Sequence, residues 1–355
     1  IAMPPGVAPR AHPVLFALAR ERPEARVGVV VQKQVADTSI EQTVVSLGGV
    51  ITKDLRLINA FAADVPAHAL TALANTAGVR WVSPDAPLLE AQCSTCVDTS
   101  KLANAYIRAI GADQLWNKSP SLQGQDITVA VVDSGLVDHS DIESRIIATA
   151  KFNSDVKAAS DGYGHGTHVA GIIGGDGSRS SGTYIGVAPK VNLVSVKVGD
   201  NQGAGSTSDV VAGLQWIYEN QNRYNIRVVN LSLNSTVAES YHTSPLDAAV
   251  EILWFNGIVV VVSAGNNGLG ADNGILYPPA NDPFVITVGA ADDRGTAEIG
   301  DDTLAPFSAY GTTESGVAKP DLVAPGTNIV SLLSSRNAEL AKAHPDHLIA
   351  IGESY

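Results

Sequence analysis

The sequence is poor in cysteine and in basic residues, and it has no long apolar run. Its 355 residues include only two cysteines, too few for a disulfide framework to hold the fold. Asp and Glu outnumber Lys and Arg by 36 to 23, and the net charge of −13 argues against nucleic acid as a partner. No apolar stretch approaches the ~20 residues that cross a bilayer, so no membrane span is predicted.

A starting Met and a nucleotide-binding motif are also missing. The chain begins at Ile1, so either its N-terminus was processed or the sequence is a fragment, and no signal peptide is visible. No predicted strand leads into Gly-x-Gly-x-x-Gly or a Walker A loop, so a dinucleotide or phosphate site is unsupported. A hydrophobic content of 45% and a charged content of 17% predict a globular protein, and the length allows two domains.

The first quarter of the chain predicts a small α+β domain. Residues 1–26 are rich in Pro and Ala, and we predict a lead segment with a short helix over residues 13–20. Residues 27–91 follow a β-α-β-β-α-β order, which predicts a ferredoxin-like domain. Thr38 and Glu41 form a predicted capping box at the start of its first helix. Taken alone, this pattern favours an independent binding domain.

Residues 92–355 alternate predicted strands with predicted helices. Short apolar runs predict strands that are buried on both faces, and segments with apolar residues on one side predict the helices between them. Such alternation predicts an α/β domain with a mostly parallel sheet and helices on both faces. The predicted strands end near residues 133, 198, 233, 262 and 289, and the predicted helices cover residues 107–116, 206–222 and 245–256 and a stretch that begins at residue 165.

Two residues of this second region suggest a catalytic pair. Asp133 ends an apolar strand, and functional groups gather at the carboxyl ends of parallel strands. A buried carboxylate needs a partner, and His165 follows after one crossover. His165 also begins a helix, where the positive end of the helix dipole disfavours the imidazolium. We therefore expect a neutral imidazole that can act as a general base.

A second histidine leaves another interpretation open. His165 and His168 are three positions apart, so on a helix they share a face and could ligate a metal ion. A metallohydrolase that uses both histidines is therefore an alternative. In the simplest interpretation, one histidine is a structural hydrogen-bonding group and the other lies on the surface.

Four segments resemble the signature blocks of the subtilisin-like serine proteases. They are Val-Asp-Ser-Gly at 132–135, His-Gly-Thr-His-Val-Ala-Gly at 165–171, Ser-Ala-Gly-Asn-Asn-Gly at 263–268 and Lys-Pro-Asp-Leu-Val-Ala-Pro-Gly at 319–326. Short motifs recur by chance, but four in the family's order on one α/β pattern are specific. The resemblance implies a subtilisin-like fold, serine endopeptidase activity on protein or peptide substrates, and a secreted location.

The resemblance also assigns roles to residues. Asp133 would orient His165, His165 would take the proton of a serine hydroxyl, and the side chain of Asn266 would donate to the oxyanion. The segment around Asn266 is also a good turn sequence. An extended substrate would lie between two edges, above the floor of a specificity pocket. One edge would consist of Gly203, Ala204 and Gly205, and the other of Leu231, Ser232, Leu233 and Asn234. The floor would consist of Ser263, Ala264 and Gly265.

The family's nucleophile block, Gly-Thr-Ser-Met-Ala, does not occur in this chain. Ser354 follows Gly352-Glu353, but Glu replaces the family's Thr, so no nucleophile is assigned. We expect a precursor that was cut before its nucleophile and is inactive by itself. A peptide-binding pseudoprotease, which holds peptides without cutting them, is the alternative.

The position of the small domain gives it a predicted role. Directly before a subtilisin-like domain, residues 27–91 resemble the family's propeptide, which assists folding and acts as an intramolecular inhibitor. The inhibitory tail would be residues 83–91, which Pro84 and Pro87 keep extended so that they can pair with a sheet edge. Cleavage is expected between residues 87 and 97.

Two smaller features bear on cofactors. Cys93 and Cys96 are predicted to form a small disulfide loop or to remain two thiols, since no second pair completes a zinc site. The implied chemistry requires no cofactor. A carboxylate near Asp141 can bind a structural calcium in the family, but residues 176–183 depart from the family's usual calcium loop, so the metal content is left open.

Overall fold

The computed structural model describes residues 10–86, 96–154, 156–268 and 274–349. The chain divides into two compact units, Ile1–Gln92 and Cys93–Tyr355. Cys96 is disulfide-bonded, while Cys93 and most of the predicted cleavage region lie outside the described residues. No helix in these ranges is long and apolar enough to cross a membrane.

The first unit is built on one antiparallel sheet. Its described helices and strands are α1 (Pro13–Glu21), β1 (Arg26–Lys33), α2 (Ser39–Ser46), β2 (Val50–Leu55), β3 (Ala60–Pro66), α3 (Leu70–Ala74) and β4 (Val79–Pro84). The strand order is β2-β3-β1-β4, and all three pairings are antiparallel. This is the order that a β-α-β-β-α-β chain gives when β2 and β3 form a hairpin and each of the two helical connections passes over one strand.

The start of the chain contributes to the core of this unit. Leu15 of α1 is fully buried with Ile40 and Val44 of α2, so part of the predicted lead segment packs as core. The predicted capping box at α2 is wrong, because Thr38 makes no side-chain cap. The carboxylate of Asp37 accepts from the N–H of Ser39 at 3.1 Å instead, and Glu41 pairs with the ammonium of Lys33.

The second unit contains the longer succession of helices and strands. Those within its described residues are α4 (Tyr106–Ala109), α5 (Asp113–Trp116), β5 (Thr128–Asp133), β6 (Ile146–Lys151), α6 (His165–Gly174), β7 (Asn192–Lys197), α7 (Thr207–Asn220), β8 (Ile226–Leu231), α8 (Pro245–Phe255), β9 (Val259–Ser263), β10 (Ile286–Asp292), β11 (Thr303–Leu304), β12 (Gly311–Thr312), β13 (Ala318–Lys319), β14 (Leu322–Pro325) and α9 (Glu339–Ala343).

An eight-stranded sheet forms the centre of this unit and confirms the predicted α/β class. Its order is β11-β10-β9-β8-β5-β7-β6, with β14 also paired to β10. Every pairing is parallel except that of β10 with β11. The chain leaves β5 for strands on one side and returns to its other side at β8, so the carboxyl end of β5 is a topological switch point. Ligands of open α/β sheets bind at such points.

Helices cover both faces of the sheet. Along β5, Ala130 and Val132 pack in the cluster that contains Leu214 of α7 and Val250 of α8. The alternate residues, Val129 and Val131, pack with Ala170 of α6 on the opposite face. Because both faces are buried, the strands read as continuous apolar runs, which is why they were predictable.

Several elements of the second unit differ from the prediction, and β11–β14 and α9, which follow the last predicted strand, were not predicted. The single helix predicted over residues 107–116 is two short helices, α4 and α5, because Gly111 between them has a φ of +70°. Strand β6 was not predicted; it pairs only with β7, and its residues are half-buried or exposed.

Candidate active site

The structure brings Asp133 and His165 together. Nδ1 of His165 lies 2.8 Å from Oδ1 and 2.9 Å from Oδ2 of Asp133. Asp133 is buried at the end of β5, whereas the side chain of His165 is 38% exposed. A carboxylate accepts only, so Nδ1 carries the proton in this pair and the lone pair of the neutral ring lies on Nε2.

Glycine at 166 allows this approach. A Cβ at Gly166 would lie 2.2 Å from the carbonyl oxygen of Gly135 and 3.2 Å from Cβ of Asp133. Gly164, before the helix, has a φ of +105°, a conformation that residues with a side chain rarely adopt. The glycines around His165 therefore let the first turn of α6 rest on the end of β5.

The charges around His165 affect its pKa more than its position at the start of a helix does. Burial lowers the pKa of His165, but the hydrogen bond to Asp133 and the charges of Asp133 and Asp161 raise it above its ordinary value. The expectation of an imidazole kept neutral by the helix terminus is thus incomplete, because two carboxylates favour the imidazolium. By contrast, burial and the neighbouring His165 lower the pKa of His168 to about 4.

A cleft of about 580 Å³ opens beside this pair. Asp133 and His165 line it together with Tyr163 and Asn266. Of the residues predicted to hold substrate, six line the same cleft: Gly203, Ala204, Gly205, Ser232, Leu233 and Asn234.

The remaining predicted substrate residues lie behind this surface. The side chain of Leu231 is fully buried in the sheet core, and Ala264 is also buried. Nδ2 of Asn234 donates to the carbonyl oxygen and the hydroxyl of Ser263 at 3.2 and 3.3 Å. This amide ties one edge to the segment predicted as the pocket floor.

Asn266 is exposed on a turn at the rim of the cleft. Gly265 and Gly268 both have positive φ, at +98° and +60°, and the N–H of Gly268 donates to the carbonyl of Phe307 at 2.9 Å. The turn interpretation and the oxyanion interpretation are therefore compatible, since the turn presents the Asn266 amide on the cleft that contains His165.

Three buried residues at this site were missed in the sequence: Ser134, Asp161 and Lys197. The hydroxyl of Ser134 donates to Oδ1 of Asp161 at 2.8 Å, and the buried ammonium of Lys197 donates to the carbonyl oxygen of Ser134. The available signal was weak. Asp161 stands in a Gly- and Ser-rich loop that reads as solvated, and Lys197 ends an apolar strand, where a charged residue is usually exposed.

The described residues around His165, His168 and Asp141 include no cluster that could hold a metal ion. Among the described residues, no group of three or more His, Cys, Asp or Glu side chains is placed to hold a metal ion. Oδ1 of Asp141 accepts from the hydroxyl of Ser178 at 3.0 Å and from the N–H of Arg179 at 2.8 Å. Two donors therefore engage this oxygen of Asp141.

Comparison with known proteins agrees with these observations. A sequence profile of the subtilase family matches residues 124–348. Serine protease AprX of Bacillus subtilis (strain 168) is 41% identical over 242 residues, which cover 67% of this chain and 54% of that protein. Subtilisin-like protease 2 of Pseudogymnoascus destructans is 32% identical over 323 residues, 85% of this chain and 71% of that protein.

Subtilisin E of Bacillus subtilis (strain 168) is 31% identical over 294 residues, which cover 81% of this chain and 66% of that protein. The chain therefore spans between about half and about 70% of the length of these relatives. The matched profile covers most of the second unit, including the strand of Asp133, the helix of His165 and the turn of Asn266. The chain belongs to the subtilase family.

Proposed function

We propose that this chain carries the base, the orienting carboxylate and the oxyanion donor of a serine endopeptidase. The observation that supports the proposal most strongly is the pair of contacts, 2.8 and 2.9 Å, between His165 Nδ1 and the buried carboxylate of Asp133. The cleft beside the pair and the membership of the subtilase family point to the same chemistry.

In the proposed mechanism, Asp133 fixes the tautomer of His165. With the proton on Nδ1 facing the carboxylate, Nε2 accepts the proton of a serine hydroxyl as the oxygen attacks the peptide carbonyl. The imidazolium that forms is stabilised by Asp133 and then gives its proton to the leaving amine. The peptide bond breaks to an acyl-enzyme, which water hydrolyses by the same proton transfers.

Asn266 and the cleft edges complete the proposal. The amide of Asn266, exposed at the rim, would donate to the oxyanion of the tetrahedral intermediate. The backbones around Gly203–Gly205 and Ser232–Asn234 would pair with an extended substrate as neighbouring strands. Leu231 and the segment Ser263–Gly265 would support the pocket from behind.

No serine of this chain is assigned as the nucleophile, and we propose that the chain is inactive by itself. We also propose that residues 27–91 are the propeptide and intramolecular inhibitor, and that residues 92–355 belong to the peptidase domain. The first unit has its own buried core, which supports an independent folding role. A secreted location is proposed on the family resemblance alone.

The test is active-site labelling of the complete gene product that contains this chain. We expect a fluorophosphonate to label a serine, and a protein substrate to be cleaved. Both reactions should fall by about 10³-fold or more in His165→Ala, because the base is lost. His168→Ala is the matched control, since this histidine has no proposed chemical role, and it should retain most of the activity.

Three results would contradict the proposal. Hydrolysis that is abolished by a chelator and by His168→Ala would indicate a metallohydrolase. Saturable peptide binding without cleavage or labelling would indicate a pseudoprotease. Labelling that is unchanged in His165→Ala would remove His165 from the mechanism.

A further inference from the structure

Asp161 lies just before α6, and both oxygens of its carboxylate accept hydrogen bonds. This residue is 3% exposed. Its Oδ1 accepts from the N–H of Gly164 at 2.7 Å, and its Oδ2 accepts from the N–H of Thr167 at 2.8 Å. These donors are two of the free N–H groups in and just before the first helical turn, so Asp161 caps the helix that begins with His165.

The same carboxylate is linked to the strand that carries Asp133. The hydroxyl of Ser134 donates to Oδ1 of Asp161 at 2.8 Å and accepts from the N–H of Gly166 at 3.0 Å. The N–H of Ser134 donates to Oδ1 of Asp133 at 2.7 Å. Ser134 therefore connects the two carboxylates and the first turn of α6, and a shift of any one of them would break bonds to the others.

The charges of this group balance only when His165 is protonated. Asp133 and Asp161 are buried carboxylates, and Lys197, which is fully buried beside Asp133 in the ladder of β5 and β7, supplies one positive charge. Burial lowers the pKa of Lys197, while Asp161, Asp200 and Asp133 favour its charged form. Two negative charges and one positive charge leave one negative charge beside a neutral imidazole. Formation of the imidazolium neutralises the group, which a buried site favours.

We propose that Asp161 is a positioning residue for the Asp133–His165 pair: it holds the first turn of α6 against the end of β5, and its charge stabilises the imidazolium that forms when His165 accepts a proton. This role rests on the proposed function. Asp161 is not among the residues that line the cleft, and it acts through Ser134 and the backbone of α6.

Other titratable groups also face His165. Asp133 approaches from β5, and His168 lies one turn further along α6. His344 and His347 line a second cavity, of about 430 Å³, that also reaches His165. The phenol ring of Tyr163 also lies beside His165, with 6.4 Å between the ring centroids. Any change in the titration of His165 must therefore be compared between variants in which these five groups are retained.

The test measures the ring of His165 directly by NMR titration of the 355-residue chain. We expect Asp161→Asn to lower the pKa of His165, because a negative charge that favours the imidazolium is removed. In the complete gene product, kcat/KM should fall about tenfold and its acid limb should move to lower pH. Asp161→Ser is the second variant, since a serine still accepts from a backbone N–H without carrying charge.

The matched control is Asp98→Asn. Asp98 also accepts from a backbone N–H and a serine hydroxyl, both of Ser100, but it is exposed. It should leave the titration of His165 unchanged. A folded Asp161→Asn or Asp161→Ser chain whose His165 titrates as in the wild type would overturn the inference. Failure of the proposed function would instead appear as a gene product that does not hydrolyse peptides, whatever the titration shows.

Discussion

The absence of a side chain at one position decides how closely helix and strand approach. Gly166 follows His165, and any Cβ there would lie 2.2 Å from the carbonyl oxygen of Gly135. Glycine in this segment permits a close approach, but the sequence alone does not show which backbone is approached. The approach arises only in the folded chain, where the connection after β5 brings the start of α6 back to the end of that strand.

Replacing Gly166 by alanine should therefore destabilise the second unit although alanine favours helix. The gain in helix propensity is about 1 kcal/mol, whereas overpacking against a backbone oxygen costs about 1–3 kcal/mol and displaces His165. We expect a net loss of free energy of unfolding in urea and a weakened contact between His165 and Asp133.

Gly300→Ala is the control, because a Cβ there meets nothing within 4 Å and its φ is not in the left-handed region. It should change the free energy of unfolding by less than about 0.5 kcal/mol. A Gly166→Ala protein as stable as the wild type would show that α6 can move away without cost.

At the scale of elements, the start of α8 holds an unusual acidic group. Asp247 is fully buried in the first turn, and both of its carboxylate oxygens lack a hydrogen-bond partner among the described residues. Burial raises the pKa of Asp247 to about 7; the charges of Asp282, Glu314 and Glu251 act in the same direction, and the nearby hydroxyl of Ser244 acts against it.

This group should make the stability of the second unit fall as pH rises. The unfolded chain releases the proton of Asp247 near its ordinary pKa of 3.8, but the folded chain holds it up to about pH 7. Unfolding therefore becomes easier between about pH 4 and pH 7. Asp247→Asn should raise the free energy of unfolding at pH 8 by about 2 kcal/mol and flatten this dependence, because its amide can donate to neighbouring acids.

Asp209→Asn is the matched control, since Asp209 occupies the equivalent position behind the Ser206 cap of α7 but is only half-buried. Equal effects of both substitutions on urea unfolding at pH 8 would contradict the special role of burial at Asp247.

Sequence pattern and structure agree best where packing is simplest. The central parallel strands were predictable because both of their faces are buried. Asp133 was predictable because it ends β5, whose residues are all buried. Edge strand β6 lacks that signal. Asp161 was missed because its importance comes from three donors that the fold brings together. Its local sequence resembles a solvated loop.

At the scale of the whole molecule, two units with separate cores make up the chain. Their sizes and order agree with an inhibitor followed by a peptidase, which remains a proposal. Ser83 and Pro84 of the predicted inhibitory tail belong to β4, whereas residues 87–95 of the tail and cleavage region lie outside the described residues.

The inhibitor proposal can be checked with the first unit added separately. We expect a polypeptide of residues 1–92 at micromolar concentration to slow peptide hydrolysis by the processed gene product about tenfold, because its extended tail would occupy the cleft. Leu15→Asp is the control, since a charge in the core should unfold the unit and abolish inhibition. If both polypeptides inhibit equally, or if neither inhibits, the first unit does not act as a folded inhibitor.

The central claim, that a buried carboxylate sets the tautomer of the base, is tested most directly by the nitrogen chemical shifts of His165 in a ¹⁵N-histidine-labelled chain. Above the pKa of this ring, the account predicts a proton fixed on Nδ1 and a bare Nε2, with this preference lost in Asp133→Asn. A ring protonated mainly on Nε2, as in free histidine, and unaffected by Asp133→Asn would contradict it.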